Sequence, residues 1–168
     1  MLKCKVSMNQ PAGTYRKVNW FSEFIHKRRN IIIEFTCALF ILLFLYTGTA
    51  KFLDFKGFIG DMNNQPFPNW MTPYIVWSIP TIEILISLAL MFEKTKRVAL
   101  YSSLVLMSMF TIYTGAVLFR FFDRVPCSCG GVIKQLTWQQ HLVFNLFFVV
   151  LAIIGLVMQK GKRDGEVA

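Results

Sequence analysis

The sequence predicts an all-α fold, an integral membrane four-helix bundle preceded by an amphipathic helix at the membrane surface. Apolar residues make up 55% of the 168 residues, above the roughly 45–50% of soluble domains. They are concentrated in four runs, each close to the about 20 residues that a helix needs to cross a bilayer. The predicted bundle occupies residues 31–159, with spans at 31–52, 72–92, 98–122 and 139–159, and a short tail follows at 160–168.

The segment before the first span is basic and carries a helical pattern. Among residues 1–30, Glu23 is the one acidic residue beside seven Lys or Arg. Apolar side chains recur there at helical spacing, at Val18, Phe21, Phe24 and Ile25. This pattern is typical of an amphipathic helix that lies on a membrane surface. A disordered basic tail is the alternative.

The placement of the basic residues predicts the orientation in the membrane. Of the 18 Lys and Arg, 13 lie in the two terminal tails and in the link Glu93–Arg97, which share one side in a four-span topology. Basic segments stay in the cytoplasm, so we expect both termini there and a bacterial inner (plasma) membrane location. Because the net charge of +9 lies beside apolar runs, the lipid bilayer explains it better than nucleic acid does.

Cys127 and Cys129 lie in the polar loop between the third and fourth spans, on the predicted outer side, where disulfides persist. A disulfide between them would close a very small ring, so it would remove little chain entropy, and such rings are often labile. Arg124 and Lys134 could favour the thiolate. The pair is therefore an active redox couple, a static disulfide, or part of a metal site with His141 as a third ligand.

The fourth span begins with a helix-start signal. Thr137 and Gln140 have the spacing of a capping box, which places His141 in the first turn and Asn145 on the same face. A His and an Asn at this depth could take a proton from a thiol or hold a quinone carbonyl. Hydrogen bonds that only hold neighbouring helices together are the alternative.

Glu83 lies near the middle of the second span. An ionisable group in a membrane is costly, which makes Glu83 a functional candidate, for example as a proton relay. Pro80, one turn earlier, frees a carbonyl and can open a polar pocket. A hydrogen-bonded structural Glu is the alternative. Glu34 lies near the cytoplasmic end of the first span, where its side chain is expected to reach water, so it is not a functional candidate.

The third span carries a stripe of small and hydroxyl residues that we predict to face the bundle interior. Its members are Tyr101, Leu104, Ser108, Thr111 and Gly115. Cys37 lies within the first span, far from the outer loop, and is predicted to be an inert thiol.

Several stretches together resemble a known family. They are Tyr46–Phe55, Pro80–Glu83, Pro126–Gly131, Thr137-Trp138 and His141–Asn145. Over residues 30–160 the chain resembles the MauE branch of the DoxX-like superfamily, redox-associated membrane proteins, in the version found in Bacteroidota-type bacteria. The name-giving member is implicated in maturation of methylamine dehydrogenase, where many periplasmic disulfides form.

The resemblance implies a four-span bundle in which Cys127 and Cys129 are the active pair. It also implies that Lys51, Glu83 and the His141/Asn145 pair are motif positions. Other four-helix disulfide generators carry two outward cysteine pairs, whereas this chain has one. The resemblance therefore implies either direct electron exchange with a quinone or a thioredoxin-fold partner that supplies the second dithiol.

Three functions compete at this level. The first is an inner-membrane thiol–disulfide redox protein that exchanges disulfides with a periplasmic thioredoxin-fold or disulfide-containing protein, with quinone as the one cofactor considered. The second is a non-catalytic subunit that joins other membrane subunits, with a structural disulfide and with the loop Leu53–Met71 as docking surface. The third is a transporter or a bundle that binds a small molecule, and it would depend on Glu83 and Pro80. The sequence leaves open whether the protein is an enzyme.

Overall fold

The computed structural model describes residues 12–66, 68–121 and 137–164. This part of the chain is helical and contains no β-strand, and four of its helices are long and apolar enough to cross a membrane. The predicted all-α fold with four membrane-length helices is confirmed. The helices are α1 Ala12–Leu53, α2 Phe55–Asn63, α3 Thr72–Leu90, α4 Lys96–Leu118 and α5 Trp138–Asp164.

The four long helices form a square bundle. α1 packs against α3 and α5, and α4 packs against the same two helices, so α1 and α4 lie on a diagonal. α2 packs mainly on α3. We call the end that carries α2 and the start of α5 the loop end. The opposite end, which carries the connection from α3 to α4, is the link end.

The first helix is a single element. The helix predicted in the N-terminal segment is present, and it continues into the first span, so that α1 runs without interruption from Ala12 to Leu53. The sequence has no proline in this range and no glycine between Gly13 and Gly48, so no residue breaks the helix. The part of α1 that could cross a membrane is Arg28–Leu53.

The segment Leu53–Met71, predicted as a loop, contains the helix α2 and a 3₁₀ turn at Asn69–Met71. Asp54 caps α2, because its carboxylate accepts a hydrogen bond from the Gly57 amide at 3.2 Å. Phe58 and Met62 are buried in a small apolar cluster with Val76 of α3. The prediction of a loop was wrong for Phe55–Asn63. Apolar residues at helical spacing there outweigh the Asn and Pro residues that follow.

The apolar core of the bundle lies in its link-end half. Phe40 of α1 contacts the Phe44 ring at 5.6 Å and the Phe148 ring of α5 at 5.3 Å between centroids, and Leu90 and Leu100 complete this core. Since lipid is as apolar as these side chains, close packing rather than the hydrophobic effect holds them together.

The prediction of the inward face of α4 was partly wrong, because the buried face of the helix is rotated about its axis relative to the predicted stripe. The stripe residues Leu104, Ser108, Thr111 and Gly115 are half-buried. The buried residues of α4 include Leu100, Ser103, Met107 and Thr114, whereas Tyr101 of the predicted stripe is 48% exposed. In lipid both faces of a helix carry apolar residues, so the sequence pattern distinguishes the inner face poorly.

Candidate functional site

The loop-end half of the bundle interior contains a charge pair. The Lys51 Nζ of α1 lies 2.5 Å from the Glu83 Oε1 of α3, and the two side chains are 12% and 2% exposed. Two charges removed from water carry a large desolvation cost, which their attraction offsets only with good geometry. A pair of this kind in a membrane helix bundle is therefore a candidate functional site and not a clear source of stability.

The direction of helix α1 explains why Lys51 points inward. A helical side chain leans toward the N-terminus of its own helix, and Lys51 lies in the last turn of α1. Its side chain therefore extends from the loop end toward the middle of the bundle, where it meets Glu83. Gly48 makes this approach possible, since a Cβ there would lie 3.0 Å from Ile84 Cγ1 and 3.3 Å from the Pro80 carbonyl oxygen.

The surroundings of the pair are mostly aromatic. The Lys51 ammonium lies 5.9 Å from the ring centroids of both Phe58 on α2 and Phe110 on α4, within the range of a cation–π interaction. Thr47, one turn before Lys51, brings its hydroxyl near the carboxylate. The second carboxylate oxygen, Glu83 Oε2, is buried without a hydrogen-bond partner.

The start of α5 follows the predicted capping box. The Thr137 amide donates to Gln140 Oε1 at 3.0 Å, and the Gln140 amide donates to Thr137 Oγ1 at 3.4 Å, so this prediction is confirmed. His141 is then half-buried in the first turn, within electrostatic range of Lys51. Asn145 is buried and donates to Thr114 Oγ1 of α4 at 3.3 Å.

A second link at the loop end joins α4 to the segment after α2. The Tyr113 hydroxyl donates to Gln65 Oε1, and the Gln65 side-chain amide donates to the Asp61 carbonyl oxygen at 3.1 Å. Gln65 is 5% exposed. Neither residue was predicted as a site residue from the sequence, because Gln65 lies in a segment predicted as a loop and Tyr113 lies off the predicted stripe.

The link end has a charge cluster of a different kind. The buried Lys96 of α4 lies 2.7 Å from Glu34 Oε1 and 2.5 Å from Glu93 Oε1, while the two acidic side chains are 62% and 71% exposed. Glu34 is thus open to solvent, as predicted, and its pairing with Lys96 was not predicted. Because the carboxylates remain exposed, this cluster ties α1 to the start of α4 at low desolvation cost.

The comparison with known families identifies the chain. The family model for the methylamine utilisation protein MauE matches residues 29–158. The chain belongs to the MauE family. No curated protein and no solved structure matches the chain.

The MauE-matching region contains every site residue predicted from the sequence. The structure brings Glu83, His141 and Asn145 to the loop-end half of the bundle, together with Lys51. Cys127 and Cys129 lie outside the described residues. The chain that carries them leaves α4 and enters α5 at the loop end, so this charge pair belongs to the same end of the bundle as the cysteines' connection.

The described part of this MauE-family chain contains no cluster that could hold a metal ion. No three His, Cys, Asp or Glu side chains there come together as a metal site requires. Cys37 is buried near the link end, beside Lys96 and Glu34. Among the described residues, the loop-end half is where a carboxylate is buried together with its lysine partner, whereas the glutamates that pair with Lys96 are exposed.

Proposed function

We propose that this MauE-family protein is an inner-membrane thiol–disulfide redox protein that uses Cys127 and Cys129 to exchange disulfides with a periplasmic partner. The observation that carries the proposal is the buried Lys51–Glu83 pair at the same end of the bundle as the connection that holds both cysteines. A bundle that needed only to span the membrane would gain nothing from two charges buried there.

The exchange itself follows ordinary thiol chemistry. A thiolate from one cysteine attacks a sulfur of the partner's disulfide and forms a mixed disulfide, while the other partner sulfur leaves as a thiolate. The second cysteine of the chain then attacks the mixed disulfide and releases the reduced partner. Two electrons move from the dithiol of this chain to the partner, and the dithiol's two protons end on the partner's thiols. The reverse direction uses the same steps.

The side chains below the cysteine loop suit the proton part of this chemistry. The imidazole of His141 is a group that can accept and release a proton, and it lies one turn after Thr137, where α5 begins. Glu83, paired with Lys51, would accept or supply a proton deeper in the bundle. Asn145, bonded to Thr114, fixes the face of α5 that presents His141. We place the quinone considered from the sequence in this same half of the bundle.

The orientation is part of the proposal. The excess of Lys and Arg at the termini and in the link Glu93–Arg97 favours a cytoplasmic link end and a periplasmic loop end. Within the same proposal, the chain is a DoxX-like protein of the Bacteroidota-type version. Labelling of Cys127 and Cys129 by a membrane-impermeant maleimide in whole spheroplasts would support this orientation, and labelling only after lysis would reverse it.

A non-catalytic subunit remains the second candidate, and one observation favours it. Phe52, Phe55 and Trp77 form an aromatic cluster at the loop end, with centroid separations of 5.0–6.5 Å. Trp70 and Tyr74 are also exposed there. Exposed aromatic side chains are typical of the centre of a protein interface as well as of the membrane boundary.

The experiment that separates the two candidates traps the redox state of the outer cysteines in cells. The chain has four cysteines, so the background is Cys4→Ser/Cys37→Ser, in which a maleimide gel shift reports Cys127 and Cys129 alone. Acid-quenched cells carrying Cys127→Ser or Cys129→Ser in this background are compared on a non-reducing gel. The matched control is Cys37→Ser in the otherwise native chain, because Cys37 is buried at the other end.

A mixed population of thiol and disulfide, with a discrete adduct in one single variant, supports the redox protein and allows the partner to be identified by mass spectrometry. A fully oxidised pair without adducts, in cells that function normally with Cys127→Ser/Cys129→Ser, overturns it and leaves the structural subunit.

A further inference from the structure

The hydrogen bond between Lys51 and Glu83 does not use all the donors and acceptors of the two side chains. An ammonium group has three N–H donors, and among the described residues Lys51 donates to one acceptor, Glu83 Oε1. Glu83 Oε2 is buried and has no partner. Buried groups in this condition are normally completed by water or by a ligand.

The spare groups form a matched set. Lys51 offers N–H donors and Glu83 Oε2 offers an acceptor, and the two belong to side chains that are already in contact at 2.5 Å. A single hydroxyl or carbonyl oxygen placed beside the pair could accept from Lys51. If that oxygen carries a hydrogen, it could donate to Glu83 Oε2 at the same time.

Two aromatic rings, one on α2 and one on α4, lie at equal distances from the Lys51 nitrogen. Phe58 of α2 and Phe110 of α4 each have their ring centroid 5.9 Å from the Lys51 nitrogen. A flat conjugated ring bound beside Lys51 would therefore have the faces or edges of two phenyl rings within reach. Such ring contacts contribute to the binding free energy beyond the apolar area that they bury.

We propose that Lys51 and Glu83, flanked by Phe58 and Phe110, bind the head group of a membrane quinone and its hydroquinone. This inference rests on the proposed function and deepens it, because it moves the quinone contact from Asn145, whose amide donates to Thr114, to the charge pair. The quinone carbonyl oxygen accepts from Lys51, and the hydroquinone hydroxyl additionally donates to Glu83 Oε2.

The reaction balances with the quinone as the oxidant. Oxidation of a dithiol forms one sulfur–sulfur bond and releases two electrons and two protons. The quinone takes up both electrons and both protons and becomes a hydroquinone, with one proton on each oxygen. Lys51 and Glu83 bind the quinone oxygen where one proton arrives. The proton that Lys51 gives to this oxygen is replaced by one of the two protons that the dithiol releases, so the pair returns to zero net charge in the membrane.

The test measures quinone binding in the absence of the outer cysteines. The chain carrying Cys127→Ser/Cys129→Ser is purified into lipid nanodiscs and titrated with a ubiquinone that has a ten-carbon tail. Calorimetry gives the stoichiometry and the dissociation constant. Infrared difference spectra give the quinone carbonyl frequency, which falls when the oxygen accepts a hydrogen bond.

The proposal predicts saturable binding of one quinone per chain and a lowered carbonyl frequency. Lys51→Met/Glu83→Gln should weaken binding of the quinone by about tenfold, because the hydrogen bond from the charged Lys51 donor to the carbonyl oxygen is lost, and should restore the free carbonyl frequency. The matched control, Lys96→Met/Glu34→Gln, removes a charge pair of similar length at the link end and should leave the dissociation constant unchanged.

A second variant protects the test against misfolding. Phe110→Leu leaves both charges in place and removes one aromatic ring, so it should weaken binding severalfold while the carbonyl frequency stays lowered. Quinone that only partitions into the lipid without saturation, or equal binding by all variants, overturns the proposal and leaves water as the partner of Glu83 Oε2. Because the outer cysteines are absent from this protein, the result is independent of whether they are redox-active.

Discussion

The two halves of the bundle each hold a lysine against glutamate at nearly the same distance, and they differ in how much water remains. At the loop end Glu83 is buried, with 2% of its side chain exposed, and its partner Lys51 is 12% exposed. At the link end Lys96 is buried, but its partners Glu34 and Glu93 are 62% and 71% exposed. Water that still solvates the two carboxylates removes most of the cost of the second cluster.

The side chains packed around the two charge clusters also differ in polarity. The link-end half is filled by Phe40, Leu90, Leu100 and Phe148, which need no polar partner. Interior positions of the loop-end half are instead occupied by Glu83, Thr114 and Asn145. The interior of the link-end half is therefore mainly apolar packing, whereas the loop-end half contains the carboxylate that is buried together with its lysine partner.

The largest expected effect comes from breaking the two lysine contacts singly. Lys51→Met leaves Glu83 charged and buried without a partner, so we expect a loss of about 3–5 kcal/mol in the free energy of unfolding. Lys96→Met leaves only exposed carboxylates, so we expect a loss of about 0–1 kcal/mol. Unfolding in mixed micelles, followed by circular dichroism, measures both. Equal losses would remove the distinction between the two halves.

A smaller effect is expected from pushing α1 away from α3. An alanine Cβ at Gly48 would lie 3.0 Å from Ile84 Cγ1, so Gly48→Ala should cost about 1–3 kcal/mol through overpacking. Gly115→Ala is the matched control, since a Cβ there meets nothing within 4 Å, and it should stabilise α4 by up to about 1 kcal/mol. The same unfolding assay decides, and a neutral Gly48→Ala would contradict the close approach.

The hydrogen bond between α4 and α5 should contribute less again. Thr114→Val leaves the buried Asn145 amide without its acceptor, so we expect a loss of about 1–2 kcal/mol. Thr111→Val serves as the control, because the Thr111 hydroxyl donates to the Met107 carbonyl oxygen of its own helix. A loss with Thr111→Val as large as with Thr114→Val would mean that the contact between helices is not the cause.

The smallest effect concerns the tie between α4 and the segment after α2. Tyr113→Phe removes the hydrogen bond to Gln65 Oε1 and should cost about 0.5–1.5 kcal/mol. Tyr101→Phe in the other half keeps the ring that Arg97 contacts at 5.8 Å and should change the stability little. Hydrogen exchange should also show faster opening of α2 with Tyr113→Phe, and unchanged exchange would contradict a stabilising tie.

Much of the candidate site could be identified from the sequence because charge is rare in a membrane span. Glu83 stood out for that reason, and the spacing of Thr137, Gln140 and His141 placed the start of α5 correctly. Lys51 was singled out only by the family resemblance, as a motif position, since a lysine at the end of a span could equally have faced water. No pattern in the sequence predicted the contact between Gln65 and Tyr113.

The sequence by itself determined the number of membrane-length helices and their approximate positions. In a bilayer each apolar run must satisfy its own backbone hydrogen bonds, so length and composition suffice to predict a helix. Only the tertiary structure decided which faces meet, because lipid and bundle interior are equally apolar and the rotation of α4 depends on packing. The pairing of Lys51 with Glu83, 32 residues apart, exists only once α1 and α3 lie side by side.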